Sequence, residues 1–363
     1  MSPIRIGIIG CGFAGLMHGI AYEPFIESGD VKLVAACDID EGSAAKIAKE
    51  YDMNTDSCCT NWQDLISRDD VDAVSITLPH YLHAEVAIAA ANAGKHVLCE
   101  KPMATTLEDC DKMIQAAKDA NVKLMIAETY RFMPTMVKIK EILESGKIGD
   151  VFFARGCECL NEIPKLIDAD TWHGTADKAG GGIWFDAGVH VCSAFRYTLG
   201  DVDSVLGGAL EHVAIKEKED DNGIVLMKFK KGAVAEAFLC DTIGSPPFIR
   251  FEFYGTEGTI LMDTAWDDPV KFFSSKEGEN PEEEWETPEV EHLPMPQFYA
   301  LSFREEVKEF VQSILEDREP QFRGEEGKVA VEMVKMGTLA SKLGRAVDIN
   351  DLYSDAAREL GIK

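Results

Sequence analysis

The amino-acid sequence predicts an α/β protein in which a doubly wound parallel sheet is followed by an α+β domain with a large, mainly antiparallel open sheet. Two observations support this fold class. Up to residue 127, short apolar segments alternate strictly with longer amphipathic ones. Beyond residue 128, short β patterns follow one another and are separated by turn signals such as Lys231-Gly232. We therefore expect domains at residues 1–127 and 128–363, with the last helices as candidates to pack back on the first domain.

The predicted strands of the first domain are apolar along nearly their whole length, which is typical of strands covered on both faces. They are Ile4–Ile9, Val31–Cys37, Ala73–Leu78, His96–Cys99 and Lys123–Ala127. The amphipathic segments between them predict helices at Ala14–Ser28, Ser43–Tyr51, Trp62–Ser67, His83–Ala93 and Leu107–Asn121. The last of these helices begins with an approximate capping box, formed by Thr106 and Asp109.

The second domain is predicted to carry its helices largely on one face of its sheet. The helices are Met133–Ser145, Ile183–Leu199, Ser302–Glu316 and Glu325–Leu343. The strands are Val151–Cys159, Asp203–Leu210, Ile224–Lys230, Ala233–Asp241, Ile249–Tyr254, Thr259–Asp263 and Val270–Ser274. Consecutive strands joined by tight turns favour antiparallel pairing.

Composition excludes several classes of function. The 36 basic and 64 acidic residues give a formal charge of −28, which repels nucleic acids and anionic lipid surfaces, so we expect no nucleic-acid and no membrane partner. No apolar run reaches the roughly 18 residues that a membrane span needs. The ten cysteines are dispersed, which favours reduced thiols in a cytoplasmic protein and no metal site. The one acidic run, residues 276–291, is interpreted as a solvated loop or a charged rim.

A glycine motif stands where the first strand meets the first helix. The residues from Gly10 to Gly15 read G-x-G-x-x-G, a pattern that is weak alone and specific in a strand–turn–helix context. Gly10 permits a tight turn, Gly12 lets the backbone approach a pyrophosphate, and Gly15 lets helix and strand pack closely. The N–H groups of the helix start, including those of Phe13 and Ala14, then face the anion. The motif therefore predicts a dinucleotide-binding Rossmann domain.

An acidic residue, Asp38, ends the second predicted strand. A carboxylate at this place accepts a hydrogen bond from a ribose 2′-hydroxyl and repels a 2′-phosphate. The next residues, Ile39 and Asp40, supply no cation that would bind such a phosphate. The sequence therefore favours NAD over NADP as the cofactor.

Three further residues are candidates for the chemistry. Lys101 follows Glu100 after the fifth predicted strand, at the edge of a parallel sheet where ligands bind. The alternative interpretation is that Lys101 is an ordinary surface lysine. Asp186 and His190 are four residues apart in an otherwise apolar predicted helix, which places both on one face. They are either a core histidine satisfied by an aspartate or the proton acceptor that alcohol oxidation requires.

Three segments make the chain similar to the Gfo/Idh/MocA oxidoreductases, the glucose–fructose oxidoreductase and inositol dehydrogenase group. They read GIIGCGFAG, LPHYLHAEVAIAAANAGKHVLCEKPMA and AGGGIWFDAGVHVCSAFRYTLG. In this family the lysine of the EKP segment and the aspartate and histidine of the DxxxH segment form the catalytic set. The resemblance thus implies that Lys101, Asp186 and His190 are catalytic, with His190 as the base and Lys101 polarising the reacting oxygen.

The resemblance also implies softer assignments. It places a cofactor-binding group beside the glycine motif and Asp38, made of Leu78, Pro79, His80, His83, Glu100 and Lys101. It places the substrate beside Asp186, His190 and a second group, made of Tyr130, Arg155, Trp172 and His173. For His83, capping or packing in the first turn of a helix is an equally good interpretation.

The function implied is NAD-dependent oxidation of a secondary hydroxyl on a sugar or polyol of the inositol, aldose or anhydrosugar type. Two alternatives stay open. A redox-neutral sugar lyase or glycosidase with retained NAD uses the same three residues, and an NAD- or sugar-sensing regulator shares the fold. Family members bury the open sheet of the second domain between subunits, so the resemblance implies a homodimer or homotetramer.

Overall fold

The chain divides into two compact units. Unit 1 holds residues 1–128 and 303–328, and unit 2 holds residues 129–302 and 329–363. The computed structural model describes residues 2–161, 172, 176–214, 220–276, 284–293 and 297–362.

Unit 1 is built on a six-stranded parallel sheet with the strand order β3-β2-β1-β4-β5-β6. The strands are β1 (Ile4–Ile9), β2 (Val31–Cys37), β3 (Cys58–Cys59), β4 (Ala73–Ile76), β5 (His96–Glu100) and β6 (Leu124–Ala127). The predicted doubly wound sheet is confirmed. Strand β3 was not predicted, because two residues are too short to produce a period.

The helices of unit 1 connect these strands, as parallel pairing requires. They are α1 (Phe13–Ser28), α2 (Glu41–Glu50), α3 (Trp62–Ile66), α4 (His80–Asn92) and α5 (Leu107–Ala120), with a 3₁₀ turn at Thr55–Ser57. The predicted cap of α5 is present, since the Thr106 hydroxyl accepts a hydrogen bond from the Asp109 backbone at 3.1 Å. Helix α4 begins three residues earlier than predicted, so His80 as well as His83 lies in its first turn.

Residues 303–328 return to this sheet near the end of the chain. The Ile126 N–H donates to the Phe322 carbonyl at 3.0 Å, and a Cβ on Gly327 would lie 2.6 Å from the Ile126 side chain. Such close approach requires glycine and fixes the returning segment against β6.

Unit 2 contains a seven-stranded sheet with the order β13-β12-β11-β7-β10-β9-β8. The strands are β7 (Val151–Cys159), β8 (Val202–Glu211), β9 (Asn222–Phe229), β10 (Val234–Cys240), β11 (Phe248–Gly255), β12 (Gly258–Asp263) and β13 (Val270–Ser274). All neighbours pair antiparallel except β7 with β10. The prediction of a large, mainly antiparallel sheet is confirmed.

The remaining helices are α6 (Thr129–Phe132), α7 (Pro134–Glu144), α8 (Ala176–Ala179), α9 (Ile183–Asp186), α10 (Gly188–Leu199), α11 (Phe298–Leu315), α12 (Gly324–Leu343) and α13 (Asp355–Glu359), with a 3₁₀ helix at Ile349–Tyr353. The single helix predicted over Ile183–Leu199 was wrong, because the helix is interrupted at Ala187. The His190 N–H donates to the Ala187 carbonyl only three residues back, which is the tighter hydrogen bonding of a turn.

One face of the second sheet packs on helix α10. A Cβ on Gly156 of β7 would lie 2.9 Å from the Phe195 ring, and one on Gly188 would lie 3.4 Å from Leu239 of β10. Residues at alternate positions of the same strands, such as Arg155 and Phe238, therefore point to the opposite, outward face. The outward face of β9 leaves Ile224 and Leu226 about two-fifths exposed.

Within the described part of the chain, every helix is too short or too polar to cross a membrane. All ten cysteines lie in this part, and none of them forms a disulfide.

Candidate functional site

The glycine loop between β1 and α1 is shaped by contacts that exclude side chains. Gly10 has a φ of 96°, and a Cβ there would lie 2.4 Å from the Thr77 carbonyl oxygen. A Cβ on Gly15 would lie 2.1 Å from the Gly10 carbonyl oxygen. Both positions therefore require glycine for steric reasons within the protein itself.

Thr77, directly after β4, holds this loop and was missed by sequence reasoning. Its N–H donates to the Ile9 carbonyl at 2.8 Å, and its hydroxyl donates to the Gly10 carbonyl at 2.5 Å. A lone threonine after a strand produces no pattern, so only the fold shows that it braces the loop.

Gly12 differs from its two neighbours in the motif, because a Cβ there would meet nothing within 4 Å. It precedes α1 without a side-chain cap, and the first N–H groups of a helix have no acceptor within the helix. Phe13, in the first turn, is 70% exposed. An open backbone surface at a helix N-terminus fits a pyrophosphate.

Asp38 follows β2 and lies beside the same loop. One carboxylate oxygen accepts from the Cys11 N–H at 2.7 Å, and the other accepts from the Asp40 N–H at 2.9 Å. The following Ile39 is 93% exposed. The structure therefore brings the predicted acid to the glycine loop, with no basic side chain among the two residues that follow it.

His83 braces the loops that follow β4 and β5. Its ring nitrogens lie 2.8 Å from the Pro102 carbonyl oxygen and 2.7 Å from the Leu78 carbonyl oxygen. Burial lowers the pKa of His83, although both carbonyl contacts and Glu100 act in the opposite direction. Both ring nitrogens are engaged with the backbone. The structure thus supports the packing interpretation of His83, with Leu78 and Pro79 held in place through it. His80 is buried one turn before, its ring 5.7 Å from that of His83.

Glu100 ends β5 and holds the residue that follows it. One carboxylate oxygen lies 3.2 Å from Nε2 of His18, and the other accepts from the Lys101 N–H at 3.1 Å. Burial acts to raise the pKa of Glu100, but the His18 hydrogen bond and the nearby charge of Lys101 outweigh it, so the pKa lies below its ordinary value. Glu100 is therefore a buried carboxylate that fixes the backbone of Lys101, which is half-buried.

In unit 2, His190 lies in the first turn of α10 and is buried. Its ring stacks on Tyr130 of α6, with the centroids 4.4 Å apart and the planes 13° apart. The Tyr130 hydroxyl donates to Glu158 of β7. This series of contacts holds the imidazole plane from one side. Glu158 was not predicted, because one acid inside a strand pattern does not reveal its partner.

Asp186 is the last residue of α9, and the start of that helix is anchored. The Trp184 N–H donates to the Asp220 carboxylate at 2.7 Å, and the Trp184 indole N–H donates to the Val334 carbonyl at 2.8 Å. Gly337 leaves room for the indole, since a Cβ there would lie 2.5 Å from the indole nitrogen. Asp186 and His190 come after this anchored turn in the chain, one on each side of the break at Ala187.

The other predicted substrate residues are placed differently. Arg155 lies on the outward face of β7, where it pairs with Glu236 at 2.9 Å, while Glu158 points to the opposite face. The structure therefore does not bring Arg155 together with His190. Trp172 is half-buried. His173 lies outside the described residues.

The glycine loop generates a prediction with two different expected results. Gly12→Ala adds a methyl group only to the open cradle, so the thermal midpoint without cofactor stays unchanged while the Kd for NADH rises at least about tenfold. Gly15→Ala forces the methyl against the Gly10 carbonyl and lowers both the midpoint and the affinity. Calorimetry and NADH fluorescence titration measure the two quantities. Unchanged NADH affinity in Gly12→Ala would contradict the assignment of the cradle.

Comparisons with known proteins agree with this geometry. Residues 4–128 match the model of the Gfo/Idh/MocA oxidoreductase family, NAD-binding Rossmann fold, and residues 136–261 match the family's C-terminal domain. The chain is 31% identical over 292 residues to a levoglucosan dehydrogenase from Pseudarthrobacter phenanthrenivorans, covering 72% of this chain and 74% of that one. It is 29% identical over 336 residues to a myo-inositol 2-dehydrogenase from Thermotoga maritima, covering 90% and 93% of the two chains.

A solved structure extends the likeness to nearly the full length of the chain. The complex of levoglucosan dehydrogenase with NADH and levoglucosan superposes with a TM-score of 0.86 at 25% identity, covering 96% of this chain and 99% of that one. The two family models match the chain in the expected order, and the myo-inositol dehydrogenase and the solved structure match over most of its length. Both findings agree with the glycine loop and the two sheets. The chain therefore belongs to the Gfo/Idh/MocA family of oxidoreductases, and its first domain is the family's NAD-binding Rossmann fold.

Proposed function

We propose that the protein is an NAD-dependent dehydrogenase that oxidises a secondary hydroxyl of a neutral sugar or polyol. The observation that carries this proposal is the arrangement of His190, a buried imidazole held against Tyr130 and four residues from the carboxylate of Asp186. Similarity to a levoglucosan dehydrogenase and a myo-inositol dehydrogenase supports the substrate class. We propose Lys101, Asp186 and His190 as the catalytic residues.

His190 is the general base in this proposal. Removing a hydride from a secondary alcohol leaves a hydroxyl proton, and imidazole is the side chain best matched to accept it near neutral pH. The stack on Tyr130, which is itself tied to Glu158, restricts rotation of the ring. A ring held in one plane presents its nitrogen to the substrate hydroxyl without losing orientational entropy in each turnover.

Lys101 stabilises the alkoxide that develops as the proton leaves. An ammonium group within hydrogen-bonding distance of the reacting oxygen opposes the negative charge that forms there. Its backbone is held by Glu100, so the side chain starts from a fixed Cα. Asp186 hydrogen-bonds a substrate hydroxyl and keeps the reacting hydroxyl next to His190. The bound cofactor supplies the hydride acceptor, and the glycine loop with Asp38 holds it.

The substrate class follows from the relatives and from charge. We propose a pyranose-like or cyclitol ring, with levoglucosan and myo-inositol as the first compounds to test. The formal charge of −28 disfavours phosphorylated or acidic sugars in solution. We also propose that the protein acts in the cytoplasm, since its ten cysteines form no disulfide.

Replacing the base or the electrophile tests the mechanism. His190→Asn and Lys101→Met are each expected to lower kcat about 10²–10⁴-fold, because each removes a group that acts on the reacting oxygen or its proton. The Kd for NADH is expected to change little in His190→Asn, whereas Lys101→Met is also expected to weaken NADH binding, because Lys101 is a cofactor-binding candidate as well. NADH absorbance, with levoglucosan, myo-inositol and common aldoses as substrates, measures turnover.

The controls are exposed residues of the same types, Lys32→Met and His212→Asn, which are expected to keep wild-type rates. Turnover within tenfold of wild type in His190→Asn or Lys101→Met would refute the assignment. Consumption of sugar without accumulation of NADH would instead indicate a redox-neutral lyase or glycosidase.

The preference for NAD over NADP is a second proposal, which rests on Asp38. The double change Asp38→Ser/Ile39→Arg removes the carboxylate that repels a 2′-phosphate and adds a cation for it. The ratio of kcat/KM with NADP to kcat/KM with NAD is expected to rise at least about tenfold. Asp40→Ser is the control, because Asp40 caps α2 and does not face the ribose in this proposal. An equal ratio in the double variant and wild type would contradict the role of Asp38.

We further propose that the outward face of the second sheet joins copies of the chain into a homodimer or homotetramer. Exposed Ile224 and Leu226 lie there beside Phe238, and the Arg155–Glu236 pair lies on the same face. Leu226→Glu is expected to reduce the mass measured by light scattering, whereas Val213→Glu, an exposed loop residue, is not. A monomeric wild-type protein would contradict the proposal.

A further inference from the structure

Three polar side chains meet in the interior of unit 1, under the loop that carries Lys101. They are His18 of α1, Glu100 of β5 and Glu306 of α11. Nε2 of His18 lies 3.2 Å from a Glu100 oxygen and 3.9 Å from a Glu306 oxygen. The His18 and Glu306 side chains are fully buried, and the Glu100 side chain is 11% exposed. Neither His18 nor Glu306 belongs to a recognisable sequence motif.

Glu306 differs from Glu100 in its hydrogen bonding. Glu100 uses both oxygens, one toward His18 and one for the Lys101 N–H. The two oxygens of Glu306 accept no hydrogen bond from any residue that the structure describes. An ionised carboxylate buried in this way would lose its hydration without a compensating hydrogen bond.

The surrounding charges also oppose ionisation of Glu306. Burial and the carboxylates of Glu100 and Glu128 raise its pKa well above the ordinary value. Other ionisable groups around the cluster are Tyr22 near Glu306 and, near Glu100, Lys101, His83 and Cys99. Burial and the neighbouring carboxylates therefore favour the protonated, uncharged form of Glu306, whereas the contacts of Glu100 favour its ionised form.

We propose that Glu306 and His18 are positioning residues for Lys101, because together they fix the carboxylate of Glu100 whose other oxygen holds the Lys101 backbone. His18 orients Glu100 from one side through a direct hydrogen bond. Glu306 bounds the cluster on another side, because one of its oxygens lies within 4.8 Å of both the His18 nitrogen and the Glu100 oxygen. An apolar or charged side chain at position 306 would shift Glu100 or favour its protonation, and the hydrogen bond to the Lys101 N–H would weaken.

This inference rests on the proposed function of Lys101, and its test separates the two. Glu306→Gln keeps the size and neutrality of the acid, Glu306→Leu removes its polarity, and Glu305→Gln removes a charge from the same helix at a residue paired with Lys308. Glu306→Leu is expected to lower kcat at least about tenfold with an unchanged Kd for NADH. Glu306→Gln is expected to keep kcat close to that of the Glu305→Gln control.

A second measurement needs no substrate. The Lys101 N–H is expected to exchange with deuterium at least about tenfold faster in Glu306→Leu than in wild type, while Glu306→Gln and Glu305→Gln stay near wild type. Normal kcat and normal exchange in Glu306→Leu would refute the inference. If Lys101→Met is itself fully active, the catalytic proposal fails instead, whatever the result at position 306.

The protonation state of Glu306 is tested separately by the pH dependence of protein stability. Because its pKa is raised on folding, the stability it contributes is present at low pH and is lost as pH rises from its unfolded pKa toward its folded pKa. The unfolding constant of wild type relative to Glu306→Gln is therefore expected to increase with pH, by up to about tenfold per unit above roughly pH 4.5. Parallel pH curves would refute a neutral Glu306. Stoichiometric metal in the purified protein would also overturn the inference, since the three side chains would then be ligands.

Discussion

The close approach of backbone to backbone at the carboxyl edge of the first sheet governs the structure of unit 1. Gly10, Gly15 and Thr77 are packed so tightly that a methyl group on either glycine would overlap a carbonyl oxygen. Every functional loop of this unit starts at the same edge. Asp38 is drawn to the loop through the Cys11 N–H, and Leu78 is tied to Pro102 through His83. The steric requirements at Gly10 and Gly15 thus determine where the loops that follow β1, β2, β4 and β5 lie.

The organisation of unit 2 differs, because among the residues that the structure describes its sheet packs on helix α10 along one face and leaves Ile224 and Leu226 partly exposed on the other. The alternation of strand residues sends Glu158 toward the helices and Arg155 outward. Glu158 supports Tyr130, and Tyr130 supports His190, so the candidate base depends on strand β7, which lies earlier in the chain. In a similar way, the hydrogen bonds of Trp184 anchor the start of α9 and so support Asp186 at its end.

Sequence periodicity predicted both sheets, and five of the six strands of the first, because buried parallel strands and antiparallel hairpins leave clear patterns. The glycine motif and Asp38 were predictable for the same reason, since local spacing carries their meaning. Other features depend on contacts between distant segments. Thr77, Glu158 and Glu306 are single polar residues whose partners lie far away in sequence. The break at Ala187 was missed because apolar residues continue on both sides of it, so the pattern over Ile183–Leu199 shows no interruption there.

The two faces of β7 limit how this protein can diverge. An insertion or deletion of one residue between Arg155 and Glu158 would exchange the faces of every residue that follows it. Glu158 would then turn outward, leaving the Tyr130 hydroxyl without it, and an outward residue would enter the helix-packed face. A single-residue length change would thus damage the support of His190 and the outward surface at once. A change of two residues keeps the alternation of faces, so the length of this strand is constrained as well as its composition.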